Sequence, residues 1–168
     1  MSPRLRKAAL TAHVASSVGW LGSVAGFLAL AVTGLTSDDV DVIRAMCVAM
    51  DVVFRLVIVP LALASFVTGV VQAVGTPWGL FRHYWVAIKL VVTVVAVAVL
   101  LQQFGPIGDL ARAASADSLT SSTSRTGRTS LVVHAALGIV TLSIPLVLSI
   151  YKPRGVTSID RKHLAASR

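Results

Sequence analysis

Hydrophobic residues run in four long blocks along the chain, separated by short segments rich in Gly, Pro, Ser, Asp and basic residues. The blocks fall at about 8–35, 40–74, 83–104 and 130–151. Each is long enough to cross roughly 30 Å of hydrocarbon, which takes about 20 residues of helix. None shows the short alternating segments of a membrane β-barrel, and no turn signal interrupts the Val-rich centre of the third. The pattern predicts an all-α, four-helix transmembrane bundle as a single domain. Its connections are short except the third, and a basic tail follows over 152–168.

The connections carry their own signals. Thr36, Ser37, Asp38 and Asp39 give a turn and then acidic N-caps for the second helix, where carboxylates suit the helix dipole. Gly75 to Gly79 reads as a tight loop with Trp78 at the interface, and Lys152-Pro153-Arg154-Gly155 stops the fourth helix. The third connection opens at Gly105-Pro106. It holds an amphipathic piece from Ile107 to Leu119 and a Ser/Thr-rich stretch over 120–129 that reads as a mobile loop. Pro60 and Pro145 are expected to kink the second and fourth helices, because each removes a backbone donor.

Composition strengthens the membrane reading. The 168 residues are 55% hydrophobic and 13% charged, with a mean hydropathy of +0.83, whereas soluble domains carry about 25% charged residues. All seven acids are Asp. The net charge of +8 comes from basic residues at the chain ends and in loops, without a basic stripe interleaved with aromatics, so no nucleic-acid partner is expected. The first block imitates a signal peptide but is far longer than the roughly 7–15 residues of a signal core, so it reads as a retained helix. The single Cys47 leaves the redox compartment open.

Charge placement also orients the chain. Arg4, Arg6, Lys7, Arg82 and the basic tail fall on one side of the membrane. The other side has no Lys or Arg in the turn over 36–41, and then Arg112, Arg125 and Arg128. The positive-inside rule therefore predicts a multi-pass cell (plasma) membrane protein with both termini cytoplasmic.

That orientation sorts the ionisable residues at membrane depth, which are costly there and hence candidates for function, into two layers. The outer layer holds Asp51 and Arg55, spaced to pair on one helix face, with His134 at a similar depth. It reads either as a self-paired charge or as a proton-handling Asp–His couple. Met46, Cys47 and Met50 nearby are soft ligands that suit Cu(I), or ordinary packing. The inner layer holds His13 on the first helix and Arg82, His83 and Lys89 at the start of the third. A haem b between helices wants two axial imidazoles from different helices and basic groups for its propionates. His13 and His83 meet the first need, and Arg82 or Lys89 the second. The plainer alternative is polar glue between helices. Gly19, Gly22 and Gly26 give the first helix a GxxxG spacing, which suits internal packing, a homodimer or a membrane-protein partner.

Thr11-Ala-His13, Gly19-Trp20-Leu21-Gly22, the stretch from Gly75 through His83 to Trp85, and Tyr151 to Gly155 resemble an uncharacterised four-span membrane family of high-GC Gram-positive bacteria. The resemblance implies fold and membrane location, with no activity attached. More distantly, His13, Trp20 and Gly22 are similar to the first helix of CopD-like copper-resistance membrane proteins and of the four-span, haem-binding protoporphyrinogen oxidases. In the oxidases a Trp, His and Lys near the start of the third helix correspond to Trp85, His83 and Lys89. Here His83 precedes the Trp by two residues, and the Arg that follows the first helix's glycine there is absent. Three functions remain open: haem-associated redox or haem handling through His13 and His83, a non-enzymatic membrane subunit or scaffold packing through the helix-one glycines, and a small transporter or copper-handling protein using the outer layer.

Overall fold

The computed structural model describes residues 2–75, 84–116 and 121–151, the first four residues of the last segment as backbone alone. The described residues form helices α1 (Pro3–Thr36), α2 (Val40–Val53), α3 (Val59–Gly75), α4 (Tyr84–Gln102), α5 (Phe104–Ser115) and α6 (Ser121–Tyr151), with a π-helical turn, Phe54–Ile58, joining α2 to α3. Four helical spans result, α1, α2–α3, α4–α5 and α6, each long and apolar enough to cross a membrane. Ser2 caps α1 through its hydroxyl, with Pro3 at the first helical position, where a missing N–H costs nothing. Asp39 caps α2 by accepting from the Asp41 and Val42 amides, as the acidic turn predicts.

The π turn ends two residues before Pro60 and closes on a bond from the Val59 amide to the Phe54 carbonyl. Proline can make no bond to the carbonyl four residues back and its ring crowds it, so widening the preceding turn accommodates the ring. Pro106 stands in the first turn of α5, where its lost donor is one of the helix's unpaired amides anyway.

Two parts of the third connection differ from the sequence expectation. The amphipathic helix begins at Phe104, earlier than Ile107, and ends at Ser115. The Ser/Thr-rich stretch over 120–129 is helical from Ser121, extending α6 by more than two turns beyond the expected start at 130. Its hydroxyls need not compete with the helix: Thr129 donates back to the Arg125 carbonyl.

The spans pack as a square. α1 contacts α2, α3 and α6, while α4 contacts α3 and α6, and among the described residues no diagonal pair of spans touches. The buried face of α1 is Ser16, Trp20, Val24, Phe27, Ala31 and Gly34, a single stripe at helical spacing. It meets a matching stripe of Cys47, Met50, Phe54, Ile58, Ala62 and Ser65 on the second span. α5 lies along α2, burying Ile107, Gly108, Ala111 and Ala114. α4 has no buried residue.

Candidate functional site

The polar layer nearest the chain termini is built on the α1–α3 contact. His13 projects from α1 onto α3 at Gly69, where a Cβ would stand 3.1 Å from the imidazole Cε1. A side chain there would press on the ring, which would have to give by a few tenths of an ångström. His13 Nδ1 lies 3.1 Å from the Ser65 carbonyl and 3.2 Å from Thr68 Oγ1. The carbonyl can only accept, and the Thr68 hydroxyl sends its own hydrogen to the Ala64 carbonyl at 2.6 Å. Both partners therefore need a proton on Nδ1. In the neutral ring this leaves Nε2 with the lone pair, the tautomer of an imidazole able to bind a metal through Nε2.

The neighbours of His13 complete the layer. Ser17 and Ser65 hydroxyls lie 2.7 Å apart, and the Gln72 amide donates to the Ala9 carbonyl at 3.2 Å. Lys89, from α4, donates to Ser149 Oγ at 2.7 Å and lies 5.4 Å from the Trp85 ring centroid. Lys89 and His13 stand on diagonally placed helices. Arg82 and His83 lie outside the described residues.

The far-side layer divides in two. Arg55 Nε pairs with Asp51 Oδ1 at 2.7 Å, and the Arg55 carbon lies 5.4 Å from the Phe104 ring centroid. A Cβ on Gly108 would stand 2.7 Å from Arg55 Nη2, so this glycine lets the guanidinium lie against α5. His134 does not join the pair: its Nδ1 lies 2.7 Å from the Ser130 carbonyl on its own helix, and its side chain lines a separate cavity. Helices of similar depth need not turn these side chains toward each other. Met46 packs against Gly34, and Cys47 and Met50 are buried in the core. Among the described residues no group of three or more His, Cys, Asp or Glu side chains converges as a metal site would.

The helix-one glycines also separate. Gly19 faces α3, with Leu61 Cδ1 3.2 Å from where its Cβ would be. A Cβ on Gly22 or Gly26 would meet no described atom within 4 Å. At about 100° per residue, Gly22 lies nearly opposite Trp20, so the GxxxG pair faces away from the bundle.

Two polar residues that the sequence reading did not single out as sites stand out. Arg128, counted there as a loop charge, is buried on α6 and donates to the Gly34 carbonyl in the last turn of α1. A cation at that helix end satisfies a carbonyl without an intrahelical partner and suits the dipole. Trp20 is 3% exposed, and its indole N–H is the one fully buried side-chain donor without an acceptor among the described residues. The chain matches no protein-family model, and neither a curated protein nor a solved structure is significantly similar to it.

Proposed function

We propose that this multi-pass membrane protein binds a haem b through His13 and His83, in redox or haem-handling service, in the cell membrane with both termini cytoplasmic. The observation that carries the reading is the locked imidazole of His13. Two acceptors hold the Nδ1 proton, Gly69 fits the ring, and Nε2 keeps the lone pair that a haem iron takes from an axial histidine. Such second partners fix ring orientation and raise the basicity of the ligating nitrogen. Lys89 supplies a cation at the same depth, suited to a propionate, and Arg82 would serve likewise. A bound haem would supply one-electron chemistry at its iron. The chain's own part is to hold the imidazole in one tautomer, neutralise carboxylates and keep the site in a dry bundle.

Protein purified in mild detergent should carry a Soret band, absent from His13→Ala purified alongside. Colourless protein that also fails to take up added haemin would overturn the reading.

A second reading is favoured by one observation of its own, the outward-facing Gly22 and Gly26. Small residues one turn apart let another helix approach closely, which suits a homodimer or a scaffold for another membrane protein. Crosslinking in mild detergent tests it; a strict monomer unchanged by Gly22→Leu counts against it.

A further inference from the structure

At the end of the bundle where α1 passes to α2, an open groove of about 790 Å³ runs between α2 and α5. Small residues of α5, among them Gly105, Gly108 and Ala111, make one wall, and the second span makes the other. The charged residues that line it are Asp51, Arg55 and Arg112, which leave one net positive charge.

Arg55 is held with donors to spare. Its Nε donates to Asp51 at 2.7 Å, and its guanidinium lies against Phe104 and Gly108 of α5. Among the described residues neither of its terminal nitrogens has a hydrogen-bond partner, and the side chain is 44% exposed. Those two nitrogens form a planar fork that can grip two oxygens of one phosphate. Arg112 stands one turn, about 6 Å of helix, beyond Gly108 on the same face of α5. Its partner Asp109 does not line the groove, and both side chains are largely exposed. Such a pair contributes little, so Arg112 can exchange it for a phosphate oxygen at small cost.

Depth says where the phosphate comes from. Arg55 stands about 30 Å of helix before Gly75, the last residue of α3, which is the thickness of the hydrocarbon layer. Val74 beside Gly75 is exposed and apolar, so hydrocarbon reaches that end, and Arg55 falls at the opposite boundary, where headgroups begin. Leu56, next along the span, is 71% exposed, and Leu101 near the end of α4 is exposed as well. A free phosphate would leave these side chains bare, whereas a phospholipid covers them with its chains. One net positive charge matches a phosphodiester of net charge −1 better than a phosphate dianion. A choline or ethanolamine head carries its own cation, which competes with the arginines for the phosphate.

We propose that this groove binds an anionic phospholipid of the phosphatidylglycerol type, in the leaflet at this end of the bundle. Its phosphodiester oxygens accept from the terminal nitrogens of Arg55 and from Arg112, and its acyl chains run over Leu56 and Leu101. The site lies at the other end of the bundle from His13 and does not rest on the haem reading.

The test titrates the full chain, without added haemin, in a neutral detergent with dioctanoyl phosphatidylglycerol and counts bound lipid by native mass spectrometry. Dioctanoyl phosphatidylcholine, glycerol 3-phosphate and inorganic phosphate are titrated alongside. Wild type should bind one phosphatidylglycerol saturably, roughly tenfold tighter than phosphatidylcholine, and neither water-soluble phosphate should compete. Arg112→Glu should weaken binding roughly tenfold, as expected for one lost charged hydrogen bond. Asp51→Asn combined with Arg55→Gln, which removes both charges of the pair at once, should abolish the preference for phosphatidylglycerol. Circular dichroism checks that each variant is folded. Equal affinities for the two lipids in wild type would overturn the proposal, as would undiminished phosphatidylglycerol binding in Arg112→Glu. Competition by inorganic phosphate at equal strength would overturn it too, since the groove would then take a free anion. Should the double variant fail to fold, Arg112→Glu, whose side chain is largely exposed, decides.

Discussion

α1 and α4 are both apolar enough to span a membrane, yet they are used in opposite ways. α1 buries six residues along one stripe and touches three other helices. α4 buries none, although thirteen of its nineteen residues are Val, Ala or Leu. In water such a helix would be driven into the core. In lipid, hydrocarbon is as good a neighbour as another helix, so shape and polar contacts decide burial instead of hydropathy. α1 has the varied sizes needed for interlocking: Trp20 and Phe27 alternate with Ser16, Ala31 and Gly34. α4 offers a uniform Val surface held by Lys89 at one end and by α5 at the other.

The largest expected effect separates the two faces directly. Phe54 is 2% exposed against α1, and Phe54→Ala should destabilise the bundle by about 3 kcal/mol, the low end for such a cavity since lipid also solvates what is exposed. Val94→Ala on α4, 46% exposed, should fall within about 0.5 kcal/mol. Reversible unfolding in mixed micelles measures both, and equal losses would break the comparison. Next in size, Arg128→Met should cost about 2 kcal/mol through the lost charged hydrogen bond to Gly34, read in the same assay. Gly69→Val should cost about 1 kcal/mol by crowding His13, and it should perturb the His13 ring resonances in a selectively labelled sample. Gly22→Leu should leave monomer stability unchanged or slightly raised, because its outward face is empty and Leu favours helix over Gly by up to about 1 kcal/mol. A large loss there would mean that the face is occupied.

The four spans were legible in the sequence because a membrane segment announces itself by length and hydropathy, which need no knowledge of neighbours. The i, i+4 pair Asp51–Arg55 was legible for the same local reason. What was not legible depends on how helices turn about their axes. His134 shares the depth of Asp51 but faces another cavity, and Gly19 packs inside while Gly22 and Gly26 face out. Arg128 read as a loop charge because Ser and Thr around it suggest a loop. The helix forms nonetheless, with Arg128 held by the α1 terminus. The partners of His13 on α3 are 52 and 55 residues away in sequence, so its tautomer could not be read from its own helix.

In the proposed function His13 is a ligand held ready by α3. Haemin titration of wild type, His13→Ala, His83→Ala and His134→Ala, followed by absorbance, tests it most directly. A saturable Soret band is expected in wild type and His134→Ala, lost in His13→Ala and in His83→Ala. The same band in all four proteins, or none in wild type, would contradict it.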